Sequence, residues 1–130
     1  MNKLINRIFS RFRKNNIPSN INLITFDEYQ KFAISTADPC AENPLYLAVG
    51  LCEEAGEAAG KVKKTIRDHL GVFDLERRNA IAGELGDALW YLANQAHLMG
   101  FTLSEIAAIN VGKINGRISR QTLHGEGDNR

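Results

Sequence analysis

CEEAGEAAG, residues 52–60, and GELGDALWY, residues 83–91, decide how this chain is read. Each stretch carries two acids three residues apart: Glu54 and Glu57 in the first, Glu84 and Asp87 in the second. Residues at that spacing are neighbours on a helix, with roughly 5–6 Å between Cβ atoms. Like charges there repel, so each pair weakens its own helix unless a cation lies between the carboxylates. Both pairs sit among small and apolar residues (Ala55, Gly56, Ala58, Ala59; Leu85, Gly86, Ala88, Leu89). That places them on or beside a buried face, where unpaired charge is costly. Four carboxylates converging from two helices form an oxygen cage for a hard divalent cation.

Working outward, the punctuation is helical. Thr25 to Glu28 reads as a capping box that opens a helix over 26–36, broken at Asp38-Pro39. Asn43 as N-cap and Pro44 at the first helical position open a second helix running to Asp68. His69 to Phe73 is a loop around Gly71. Asp74 caps a third helix running to Met99, and Gly100 stops it. Thr102 to Glu105 is a second capping box, opening a fourth helix to Ser119. No segment shows the strict alternation of a strand. The fold expected is all-α: an antiparallel helical bundle of four main helices with an N-terminal accessory helix. An antiparallel pairing of the two long middle helices brings the acidic pairs opposite one another.

The chain has 130 residues, 44% of them hydrophobic, and a net charge of +1. That suffices for one domain with a core. Charge is unevenly spread. Five of the 16 basic residues fall in positions 1–20, which hold no acid, leaving residues 21–130 with 11 basic and 15 acidic side chains. The division expected is a basic leader and linker over 1–20 and one helical domain over 21–130. MNKLINRIFSRFRKNN reads as an accessory helix packed on the domain or on a symmetry mate, as a membrane-surface anchor, or as an acid-free transit segment. No apolar run reaches the roughly 18 residues of a membrane span. No basic groove-reading motif outside the leader suggests nucleic acid. Cys40 and Cys52 match neither a disulfide framework nor a metal motif, and read as reduced, buried thiols of a cytoplasmic protein.

The order EEAGE, then ELGD on the next long helix, resembles the E-x-x-E … E-x-x-D signature of MazG-like nucleotide pyrophosphohydrolases. FDEYQ on the first helix, KKTIRD after the first motif, Tyr91 four residues after Asp87, and the late NVGKINGR segment belong to the same resemblance, which covers about residues 25–130. The superfamily includes dimeric dUTPases, dCTP pyrophosphatases and phosphoribosyl-ATP pyrophosphohydrolases. The resemblance implies hydrolysis of nucleoside triphosphates to monophosphate and pyrophosphate, dependent on Mg²⁺ with Mn²⁺ as a substitute. It assigns Glu54, Glu57, Glu84 and Asp87 as metal ligands. A chain this short exposes much apolar helix surface, so a homodimer or a tetramer built as a dimer of dimers is expected, and the resemblance implies a site completed near a subunit interface.

Around these ligands other residues carry two readings each. Glu53 is a solvated glutamate or a base orienting the attacking water. Lys61 forms a surface pair with Glu57 or, with Lys64, binds phosphate. Asn110, Lys113 and Arg117 share one face of the fourth helix, either solvated or contacting the nucleotide. Tyr91 is a core tyrosine or a contact to base or sugar. Trp90 belongs to the core or to a dimer interface. Tyr29 and Gln30 belong to an amphipathic helix or touch the base. His69, His97 and His124 form no ligand set, and His97 reads as structural. The tail from Gln121 onward is a loop that either closes over the site or stays a free terminus. A non-catalytic helical interaction module and a phosphoribosyl-ATP pyrophosphohydrolase are the rival functions.

Overall fold

The structure is a computed structural model that describes residues 22–122. The accessory helix expected in the leader and the tail beyond Thr122 lie outside the described residues. Within them are α1 (Phe26–Ser35), a one-turn 3₁₀ helix (Pro39–Glu42), α2 (Pro44–Asp68), α3 (Leu75–Leu98) and α4 (Leu103–Ser119). No strand occurs among the described residues, and the fold is all-α as expected.

Local side-chain chemistry sets the helix starts. Thr25 Oγ1 accepts from Glu28 N at 3.2 Å while the Glu28 carboxylate takes Thr25 N at 2.7 Å. Thr102 and Glu105 repeat this reciprocal box at α4. Asn43 Oδ1 accepts from Leu45 N ahead of α2, with Pro44 in the first turn. Asp74 Oδ1 accepts from Arg77 N ahead of α3. These bonds satisfy amide donors that a helix N-terminus otherwise leaves open. Asp38-Pro39 does more than break α1, because Asp38 Oδ1 caps the 3₁₀ turn through Cys40 N and Ala41 N. Gly100, at φ +78, turns the chain from α3 into α4 in a conformation that L side chains rarely adopt.

α2 and α3 form an antiparallel hairpin. Gly50 lies against Tyr91, and eleven residues further along α2 Lys61 meets Glu84, seven residues earlier on α3. The facing side of α2 runs through Leu47, Leu51, Glu54, Ala58, Lys61 and Thr65, all buried or half-buried. This alternation of three- and four-residue steps is the spacing of a seam between two packed helices. The matching side of α3 runs through Ile81, Glu84, Ala88, Tyr91 and Gln95.

The core is small. Ala33, Ala93, Ala96 and Leu103 form its centre, with Tyr29, Leu89, Trp90 and Ile106 packed against them. Gln30 ties three elements together. Its Nε2 donates to Ala93 O (3.2 Å) and Phe101 O (2.9 Å), and its Oε1 accepts from Leu103 N (2.9 Å). Its polar atoms are engaged in the fold, which removes it as a contact to a base.

A second apolar stripe on α2 faces away from α3. Leu45, Val49 and Ile66 are 75%, 67% and 60% exposed, with Cys52 and Ala59 between them in the same register. Both cysteine thiols are free as expected, but both are exposed rather than buried. Cys52 lies on the outward stripe, and Cys40 in the short 3₁₀ turn. No helix among the described residues is long and apolar enough to cross a membrane.

Candidate metal centre

The hairpin register brings Glu54 of α2 opposite Glu84 and Asp87 of α3. One carboxylate oxygen from each lies within 4.8 Å of the other two. This is the group of metal-capable side chains found among the described residues. Glu54 and Glu84 are half-buried seam residues, while Asp87, one turn further along α3, is exposed. Glu57 stands at the edge: it is exposed and outside the three-oxygen group, yet its carboxyl interacts with that of Glu84.

The charges are unequally compensated. Lys61 Nζ donates to Glu84 Oε1 and holds that carboxyl below the usual range, with smaller contributions from Glu54 and Glu57. The same bond raises Lys61. Among the described residues Glu54 has no such cation. Burial pushes its carboxyl up, followed by a hydrogen bond shared with Glu84 and the negative charge of Asp87, Glu84 and Glu57. Hard oxygen donors from two helices, with repulsion left at Glu54, fit a divalent cation of the Mg²⁺ class, which binds through a few carboxylates and keeps waters for substrate to replace.

Beside the carboxylates lies an open cavity of about 300 Å³ lined by Glu54, Asp87, Trp90 and Tyr91. Tyr91 is held from three sides. Its ring lies 6.1 Å from that of Tyr46 and meets Trp90 edge-on at 5.1 Å, and it covers Gly50. The hydrogen bond to Tyr46, then burial, pushes its phenol up to about 12. Tyr29 of α1 donates to Gly86 O at 3.3 Å, and burial with the nearby Asp87 charge raises its phenol.

Lys61 bypasses Glu57, four residues away on its own helix, and crosses to Glu84. Lys64 lines a separate shallow cavity with Thr65, His69 and Arg77. Glu53 is exposed, and its charge reaches Tyr91. Asn110 and Lys113 are exposed on α4 and Arg117 is half-buried; none lines the cavity beside Glu54 and Asp87. Trp90 serves both sides: it packs on the core, bonds Thr36 through Nε1 at 2.9 Å, and lines the acidic cavity. His97 is exposed rather than buried in the fold. Tyr46 and Gly50 were not legible as site residues. Only the helical offset of Gly50, four residues before Glu54, hinted that the backbone approaches a neighbour there.

A sequence model of the MazG nucleotide pyrophosphohydrolase domain matches residues 42–120, which span α2, α3 and α4. The chain belongs to that family. It is also similar to the Gene 37 protein of Mycobacterium phage L5, 44% identical over 85 residues, covering 65% of this chain and 75% of the phage protein. No solved structure matches the chain.

The charge pattern predicts an unusual stability effect. Glu54 holds its proton above its ordinary value of 4.5, so the folded state binds a proton that the unfolded chain has already lost. Its contribution to stability therefore falls as pH rises from about 4.5 through the folded pKa. In chelator, Glu54→Gln is expected to melt at a higher temperature than the parent at pH 7. The gap should close as pH falls toward 4.5. A lower melting temperature for the variant at pH 7 by calorimetry would contradict this.

Proposed function

We propose that this chain is a magnesium-dependent pyrophosphohydrolase of nucleoside and deoxynucleoside triphosphates, releasing a monophosphate and pyrophosphate, with Mn²⁺ able to substitute. What supports the reading is the meeting of Glu54, Glu84 and Asp87 oxygens from two helices beside an aromatic-lined cavity. Glu54, Glu84 and Asp87 would hold the cation, with Glu57 as a fourth carboxylate beside them. A bound divalent cation supplies charge neutralisation along the polyphosphate and a water of lowered pKa.

The chain's own groups do the rest. Glu53 orients or deprotonates the attacking water. Water adds across the α–β anhydride, its oxygen joining one product while the bridging oxygen leaves with the other. Lys61 and Lys64 on α2, and Asn110, Lys113 and Arg117 on α4, meet phosphate oxygens that the cation does not cover. Tyr91 and Trp90 offer faces to base or sugar. No side-chain nucleophile is needed, because phosphoryl transfer rests on positioning and charge.

The test is a panel of canonical and damaged nucleoside triphosphates, with phosphoribosyl-ATP included, assayed for pyrophosphate release. Turnover of at least one nucleotide, lost in chelator, is expected. Silence across the panel with Mg²⁺ and Mn²⁺ would favour a non-catalytic helical module.

The enzyme acts in the cytoplasm as a homodimer, or as a dimer of dimers. The outward stripe of α2 is the surface that a second copy covers, because Leu45, Val49 and Ile66 form an apolar seam along the helix that stays exposed among the described residues. Val49→Glu with Ile66→Glu is expected to shift sedimentation from twice the chain mass to one chain, with helical content retained. An unchanged sedimentation coefficient would remove this stripe as the interface.

A further inference from the structure

Lys61 occupies a position on the α2 seam that faces α3, where most residues are apolar or small. Glu57, one turn back on the same helix, acts on the ammonium only through its charge. The ammonium instead reaches Glu84, whose side chain is 13% exposed and whose oxygen belongs to the three-carboxylate group. A lysine here and a divalent cation therefore compete for one carboxylate.

We infer that Lys61 is a tethered cation that holds Glu84 while no metal is bound and passes to the polyphosphate when the metal–nucleotide complex enters. The inference rests on the reading of Glu54, Glu84 and Asp87 as a divalent-cation site. The lysine stem keeps the ammonium beside the carboxylates at high effective concentration, so a metal arriving alone must displace it. A metal arriving with polyphosphate brings a new anionic partner for the displaced ammonium. Metal and phosphate then bind cooperatively, with Lys61 as the positioning residue that couples them.

The experiment is a Mn²⁺ titration, read by the electron paramagnetic resonance of free Mn²⁺, with and without methylenebisphosphonate as a non-hydrolysable polyphosphate probe. In the parent, the bisphosphonate is expected to tighten Mn²⁺ binding by about 10-fold, within the usual range of coupling between sites. Lys61→Met is expected to bind Mn²⁺ alone about 10-fold more tightly than the parent, and to lose most of the bisphosphonate effect. Lys61→Arg keeps the charge and should restore both properties, which separates competition from a packing defect. Equal or weaker Mn²⁺ binding by Lys61→Met, with binding still abolished by Asp87→Asn, would overturn the lysine's role and leave the metal centre standing. Binding that Asp87→Asn leaves untouched, or no binding by any variant, would bring down the metal centre and this inference together.

Discussion

Asp87→Asn is expected to lower kcat/KM by about 10³-fold, the scale of losing a group that stabilises transition-state charge. Its helical circular dichroism should match that of the parent, and its unfolding midpoint should not fall below it, because the loss of this charge relieves repulsion on Glu54. The two expectations belong together. Asp87 is exposed at the rim of the acidic cavity, so the fold does not rest on its packing. Its carboxylate completes the three-oxygen group, and an amide removes the charge while keeping the shape. Retained turnover in this variant would discredit the assignment of the ligands.

The second large effect is on stability. Gly50→Ala is expected to destabilise the fold by about 1–3 kcal/mol, the usual cost of overpacking. A Cβ at this position would lie 2.2 Å from Tyr91 Cε1 and 2.4 Å from Cζ. The ring cannot simply swing aside, since the rings of Tyr46 and Trp90 lie against it. Helix propensity alone favours alanine by about 1 kcal/mol, so the sign of the result decides which effect wins. Gly112→Ala in α4 is the control, because a Cβ there meets nothing within 4 Å. It should stabilise slightly, whereas Gly50→Ala should lower the melting temperature and also impair turnover by displacing Tyr91 from the cavity wall. Stabilisation by both substitutions would show that the Tyr91 contact is slack.

Much of this architecture is written in short-range chemistry. Thr25 with Glu28, Asn43 with Pro44, Asp74, and Thr102 with Glu105 each bond within three residues of themselves, so sequence displays them directly. The acidic spacing is equally local, and its placement on two neighbouring helices follows from the connection length.

What sequence hid depends on the register between helices. Lys61 has two acidic neighbours within reach, and the choice of Glu84 over Glu57 is made by how α3 lies against α2. The α2 helix carries two apolar stripes, and periodicity cannot tell which one faces α3, so Cys52 reads as buried although it lies outside. Gln30 looks like an ordinary amphipathic position, yet α3 and the turn into α4 supply three backbone partners for it. The α4 residues Asn110, Lys113 and Arg117 show the opposite limit. Their shared face is legible from spacing, but the distance from that face to the carboxylates is a tertiary matter.

The most direct measurement is anomalous scattering from a crystal equilibrated with Mn²⁺ and methylenebisphosphonate. A peak coordinated jointly by Glu54, Glu84 and Asp87 is the predicted result. At saturating Mn²⁺, a map with no ion among these three side chains, or with the ion held elsewhere on the chain, would contradict a metal centre shared by α2 and α3.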